Sequence, residues 1–281
     1  MRILVTGAAG MLGLDVQRAA EQAGHEVVAL TRGQLDITDA AAVTQAVAGA
    51  SPDAVVNCAA WTDVDGAEAE PERAAAVNAA GSGNVAAAAQ SASAWLVHVS
   101  TDYVFSGDKA SPYVESDPPQ PASAYGRSKL EGERAVAAAA PDRHTIVRTA
   151  WLFGAGGRCF PKTILRAASQ RPELTVVSDQ IGCPTFSGHL AAALVTLAAQ
   201  HPPGVVHVAG GGQCSWYEFA AAIVGAAGVD CPVRPIPTSA YPLPARRPAN
   251  SVLVSERGAP MLPDWRDGLA QFMSELSEVP A

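Results

Sequence analysis

Val5-Thr6-Gly7-Ala8-Ala9-Gly10-Met11-Leu12-Gly13 joins a short apolar run, Arg2 to Thr6, to an alanine-rich stretch with helical spacing. Three glycines spaced Gly-x-x-Gly-x-x-Gly at a strand-to-helix turn are a variant of the dinucleotide-binding fingerprint. They permit a tight turn and let backbone N–H groups approach a pyrophosphate at a helix N-terminus. Glycine makes up 25 of the 281 residues. At that frequency the spacing arises by chance about 0.2 times in a chain of this length, so its position after the first strand gives it its weight.

Beyond this turn, apolar or β-branched runs at Glu26 to Thr31, Ala54 to Ala59, Trp95 to Ser100 and His144 to Thr149 alternate with helical stretches. Continuous apolar runs suit strands buried on both faces. Right-handed crossovers through helices build such strands into a doubly wound parallel sheet, so the expected fold is α/β of Rossmann type. The expected organisation is a dinucleotide-binding domain over 1–152, completed by a returning strand near 205–209. The remainder, 153–281, reads mainly as a smaller, loop-rich substrate-binding region. Six prolines between Pro232 and Pro248 predict a rigid loop there and exclude a helix.

Composition narrows the function classes. With 48% hydrophobic and 16% charged residues the chain can bury a sizeable core. Its 19 basic and 27 acidic side chains leave a net charge of −8 with no basic block, which argues against nucleic acid as a partner. No stretch approaches the roughly 18 apolar residues of a membrane span, and the run after Met1 is too short for a signal segment. The five cysteines are odd in number and scattered without a C-x-x-C pair, the pattern of free thiols in a reducing compartment; a cytoplasmic location is expected.

Chemistry-bearing residues fall at the ends of the predicted strands. After the second strand comes Arg32, with no acid at the strand end to accept from a ribose 2′-hydroxyl. An Arg there accommodates a 2′-phosphate, which favours NADPH, with NADH as the alternative. Asp36 and Ile37 follow within reach of an adenine. Ser100 and Thr101 leave the fourth strand at its carboxyl end, where either hydroxyl can hydrogen-bond a carbonyl oxygen as charge develops on it. Tyr125 and Lys129 stand four apart, on one helical face. Five tyrosines and 3 lysines give about 0.05 such pairs by chance. The chain uses 16 Arg against those 3 Lys, so a compact ammonium at 129 is informative. A nearby cation lowers a phenol's pKa, so Lys129 is expected to tune Tyr125 as a proton donor and to hydrogen-bond a nicotinamide ribose.

Together these residues resemble the extended short-chain dehydrogenase/reductases and, within them, the dTDP-4-dehydrorhamnose reductase family. The resemblance runs over nearly the whole chain. It includes Asn57-Cys58-Ala59-Ala60-Trp61-Thr62, Val77-Asn78, Ser100-Thr101-Asp102-Tyr103-Val104-Phe105, Tyr125-Gly126-x-x-Lys129 and Arg148-Thr149-x-Trp151. Two motifs are specific to this branch: Asp179-Gln180-x-Gly182-x-Pro184-Thr185, and the loop from Pro237 to Ser251. The resemblance implies catalysis by Thr101, Tyr125 and Lys129. It implies a cofactor lined by Gly7, Gly10, Met11, Leu12, Gly13, Asp36, Ile37, Ala59, Ala60, Trp61 and Thr62, with Arg32, Tyr125 and Lys129 completing the set. The sugar nucleotide would meet Thr101, Asp102, Tyr103 and Trp151, with Arg246 and Arg247 the first candidates for its diphosphate.

The implied reaction is reduction of the C4 keto group of dTDP-4-dehydro-β-L-rhamnose, with Tyr125 protonating the developing alkoxide. Related dehydratases carry Thr-Asp-Glu where this chain has Thr101-Asp102-Tyr103, so elimination would lack its base. The rivals are a reductase of another dTDP-4-keto-6-deoxy sugar and a non-catalytic, cofactor-binding regulatory subunit of the same fold, which need not keep all three catalytic residues. Some relatives bind Mg²⁺ at a dimer contact through glutamates. Here His189 stands where one such glutamate is expected, with Asp15 at another of those positions, so no metal is expected and the chain reads as a monomer or homodimer.

Overall fold

The computed structural model describes residues 1–278. Five of the apolar runs form parallel strands: β1 (Arg2–Thr6), β2 (Glu26–Leu30), β3 (Ala54–Asn57), β4 (Trp95–Thr101) and β5 (His144–Thr149). A sixth strand, β6 (Gly204–His207), returns beside β5. The spatial order is β6-β5-β4-β3-β1-β2, and every neighbouring pair is parallel. β3 stops two residues short of the expected end because the Asn57 side chain turns back on the backbone. Its Oδ1 accepts from Thr6 Oγ1 (2.6 Å) and from the Ala59 amide (3.2 Å).

Among the described residues, eight α-helices of nine residues or more cover this sheet and its appendix: α1 (Met11–Gln22), α2 (Ala40–Ala50), α3 (Ser82–Ser91), α4 (Ala124–Ala139), α5 (Phe160–Ala168), α6 (Ser187–Gln200), α7 (Trp216–Ala226) and α8 (Trp265–Glu278). Side chains alternate along each strand, so each strand feeds two cores. Ile3, Val5, Val56 and Val97 pack with α1 and α6 on one face. Leu4, Val55, Leu96 and Ile146 pack with α2, α3 and α4 on the other. Burial on both faces is why the strands read as unbroken apolar runs.

A third core, built from Phe153, Phe186, Phe219, Trp265 and Phe272, lies among α5, α7 and α8. Short strand pairs tie the later segments together: Leu152–Phe153 with Thr185–Phe186, Ile181–Gly182 with Cys214–Ser215, and Leu174–Val177 with Val233–Ile236. The last pair corrects the expectation of loop throughout Pro232 to Pro248. Pro235 sits in a two-stranded edge, where its missing N–H costs no ladder bond. Among the described residues no helix is long and apolar enough to cross a membrane, and the five cysteines are free thiols.

Candidate active site

The chain runs from β1 outward to β2 and then crosses to β3 on the other side of β1. Open α/β sheets bind ligands at such a switch point, beyond the carboxyl ends of the strands. The glycine loop occupies it. Gly7 has φ +65°, and a Cβ there would lie 2.7 Å from the Ala59 amide nitrogen. A Cβ on Gly13 would lie 2.3 Å from the Gly7 carbonyl oxygen. Both positions therefore need glycine. Gly10 caps α1 without a side-chain hydrogen bond, which leaves the first-turn N–H groups open to a ligand.

A cleft of about 910 Å³ runs from this loop along the carboxyl ends of the strands. Gly7, Gly10, Met11, Leu12, Gly13, Arg32, Asp36, Ile37, Ala59, Ala60, Trp61 and Thr62 all border it. So do Thr101, Asp102, Tyr103, Tyr125, Lys129 and Trp151. Asp36 also holds a local turn, its Oδ1 accepting from the Thr38 amide (3.0 Å) and hydroxyl (2.8 Å), and these bonds keep its carboxyl below the usual range. The wall segment at Trp61 is fixed by Asn78. That side chain accepts from the Trp61 amide (2.8 Å) and donates to the Trp61 carbonyl (3.0 Å) and to Ser128 Oγ (2.9 Å).

Alternation along β4 separates the two candidate hydroxyls. Ser100 Oγ donates to Glu133 Oε1 (2.5 Å), and Glu133 in turn accepts from Arg148 Nε (2.9 Å) and Nη2 (2.7 Å) in a buried ion pair. Thr101 Oγ1 accepts from the Tyr103 amide (3.2 Å), donates to Asp102 Oδ1 (2.9 Å), and stands beside the Tyr125 hydroxyl. Tyr125 lies in the first turn of α4, where Ser123 Oγ accepts from the Gly126 amide (3.1 Å). A Cβ on Gly126 would fall 2.2 Å from the Tyr103 carbonyl, so the glycine after Tyr125 lets α4 close on the strand end. The Tyr103 and Tyr125 rings meet edge to face at 5.6 Å.

Burial dominates the electrostatics of the site. Burial pushes the Tyr125 phenol up to about 12, with the neighbouring Asp102 charge acting the same way and Thr101 opposing. Lys129, also buried, falls to about 8, partly sustained by the Glu133 charge one turn along α4. Its Nζ donates to the Val99 carbonyl (2.7 Å), which fixes the position of the ammonium. Asp102 is raised by burial to about 6.

Arg246 and Arg247 lie outside this cleft. They border a second depression of about 340 Å³ with Asp179, Gln180, Thr238 and Tyr241. Arg247 forks Asp65 with two 2.7 Å hydrogen bonds, and Arg246 pairs with Asp108 at 2.9 Å on the surface. His189 contacts Gln271 (3.0 Å), while Asp15 accepts from Ser187 Oγ (2.5 Å) and pairs with Arg18 (3.0 Å). The cleft also holds residues that the sequence did not single out: Arg73, whose guanidinium lies 5.1 Å over the Trp61 ring, and Arg158 and Trp216. Ser215 to Glu218 carries a visible capping-box signature, but it marks only a helix start.

The chain is similar to known proteins over the whole of its described length. The family described as RmlD substrate binding domain matches residues 1–278. The chain is 42% identical over 280 residues to the spore coat polysaccharide biosynthesis protein SpsK of Bacillus subtilis, covering 98% of each. It is 46% identical over 297 residues to the dTDP-4-dehydrorhamnose reductase of Burkholderia thailandensis, covering 98% of this chain and 99% of that one. The crystal structure of the Bacillus anthracis dTDP-4-dehydrorhamnose reductase in complex with NADP superposes with a TM-score of 0.94 at 38% identity, over 98% of this chain and 99% of that one. The chain thus belongs to the RmlD family of dTDP-4-dehydrorhamnose reductases, NAD(P)-dependent dTDP-sugar reductases with the extended short-chain dehydrogenase/reductase fold.

Proposed function

We propose that this protein reduces the C4 keto group of dTDP-4-dehydro-β-L-rhamnose to the alcohol of dTDP-β-L-rhamnose, with NADPH as reductant. The observation that carries the reading is the meeting of Thr101, Tyr125 and Lys129 in the cleft that begins at the glycine loop. The loop fits a dinucleotide: Cβ atoms at Gly7 and Gly13 would fill the cradle, and the start of α1 is uncapped. Gly10, Met11, Leu12 and Gly13 would hold the pyrophosphate, Ile37 and Asp36 the adenine side, and Ala59 to Thr62 the nicotinamide side. Arg32, exposed after β2, suits a 2′-phosphate and favours NADPH. When bound, the reduced nicotinamide supplies the hydride.

The protein's own residues handle the proton. With substrate bound, the Thr101 hydroxyl would turn its one hydrogen from Asp102 to the carbonyl oxygen and hold it as negative charge grows there. Tyr125 gives its hydroxyl proton to that oxygen. With a pKa near 12 the phenol stays protonated throughout the neutral range, yet it remains a stronger acid than the alcohol it generates. This state suits reduction, since the reverse oxidation would need the tyrosinate. Lys129, anchored on Val99, places a positive charge behind the site and offers its remaining protons to the cofactor ribose. Asp102 and Tyr103 border the sugar.

Replacing Tyr125 by Phe tests the assignment. Oxidation of NADPH in the presence of the keto sugar should fall by about 10²- to 10⁴-fold, the range for losing a general acid, with NADPH affinity retained. Undiminished turnover would remove Tyr125 from the mechanism.

A further inference from the structure

Trp151 is held at φ +46°, in the left-handed region that a bulky side chain rarely adopts. The surroundings of its indole account for this. A Cβ on Gly182 would lie 2.3 Å from Trp151 Cε2, so only glycine lets that backbone come so close. Against the ring lies Trp216, with centroids 3.5 Å apart and planes within 3° of parallel. Phe160 packs on Trp216 in turn, at 4.5 Å. Antiparallel pairing of Cys214–Ser215 with Ile181–Gly182 delivers both Gly182 and Trp216 to the same indole. The start of α7 is fixed by a reciprocal cap in which Glu218 Oε2 accepts from the Ser215 amide (2.7 Å) and Ser215 Oγ accepts from the Glu218 amide (3.1 Å).

Both indoles border the main cleft, together with Ala150 and Leu152. The cleft is thus chemically two-sided. Thr101, Asp102, Tyr103, Tyr125 and Lys129 offer hydroxyls and charges, whereas the stacked pair offers aromatic ring faces, with a single N–H donor on the edge of each ring. A hydroxyl pressed against a ring face loses water and gains no partner, whereas a methyl group loses nothing.

We propose that Trp216 is a specificity-determining residue: stacked on Trp151, it completes an apolar wall that takes the C6 methyl edge of a 6-deoxy sugar and disfavours a hydroxymethyl group at the same carbon. The proposal rests on the keto-sugar reading above and adds the part of the substrate that the proton-transfer residues do not select. Trp216 is the ring that stacks on Trp151 among the described residues, so without it the strained backbone there has less to hold it. An apolar pocket of this kind discriminates by about 10- to 100-fold.

The test uses two ligands that differ only by the C6 hydroxyl, dTDP-β-L-rhamnose and dTDP-β-L-mannose, titrated into the NADP⁺-saturated protein. The wild type should bind the 6-deoxy ligand at least about tenfold more tightly. Trp216→Leu should shrink that ratio to below about threefold with NADP⁺ affinity unchanged, while Trp216→Phe, which keeps a stacking ring, should retain most of it. The inference is overturned if Trp216→Leu keeps the wild-type ratio, if it loses NADP⁺ affinity in parallel, or if the wild type binds the two ligands equally. A wild type that binds neither sugar nucleotide would instead contradict the keto-sugar reading itself.

Discussion

At the glycine-loop end of the cleft the lining is centred on one contiguous turn, Gly7 to Gly13, and the adjoining wall at Ala59 to Thr62. At the opposite end it is side chain, drawn from the end of β4 (Thr101 to Tyr103), the start of α4 (Tyr125, Lys129), Trp151 and Trp216. The first end depends on the absence of atoms, since a Cβ at Gly7 or Gly13 would collide with backbone. The second depends on particular functional groups held by tertiary contacts, such as Lys129 on Val99 and Trp151 on Trp216. A diphosphate common to many cofactors can be met by amides, whereas a single keto sugar must be met by hydroxyls, charges and rings at fixed positions.

The two ends should therefore break differently. Gly13→Val should have the largest effect on cofactor binding, weakening NADPH by more than about a hundredfold in a fluorescence titration, because the new side chain meets the Gly7 carbonyl. A variant that bound NADPH normally would show that the loop does not cradle the dinucleotide. At the other end, pH separates Tyr125 from Lys129. Raising the pH through about 8 removes the Lys129 charge while Tyr125, near 12, keeps its proton. The pH profile of kcat/KM should therefore fall about tenfold per unit above pH 8 and show no tyrosine-like break below that. A flat profile to pH 10 would mean that the Lys129 charge is dispensable. Arg32→Glu should have the smallest effect, lowering the preference for NADPH over NADH by about fivefold, because an exposed charge contact is worth at most about 1 kcal/mol.

The same contrast explains what could be read from the sequence. The glycine loop is contiguous and the Tyr125/Lys129 pair is one helical turn, so spacing alone exposes both, and the scarcity of lysine sharpens the second. Contacts between distant segments leave no such trace. Asn78 reaches Ser128 across 50 positions, and Arg247 reaches Asp65 across 182. Arg246 and Arg247 read as candidates for the diphosphate because a charge is visible in the sequence and its partner, Asp108 or Asp65, is not. The direction of the Tyr125 shift was hidden for a related reason: proximity of a lysine in sequence does not say that the phenol is buried. Trp216 stood in a recognisable helix-start signature, but only the pairing of Cys214–Ser215 with Ile181–Gly182 brings it to Trp151.

Turnover of purified protein with NADPH and a panel of dTDP-4-keto-6-deoxy sugars differing in stereochemistry tests the central claim most directly. The highest kcat/KM should belong to dTDP-4-dehydro-β-L-rhamnose, with one NADPH consumed per dTDP-β-L-rhamnose formed. NADPH binding without oxidation in the presence of any of these sugars, or a clear preference for a different epimer, would contradict the account.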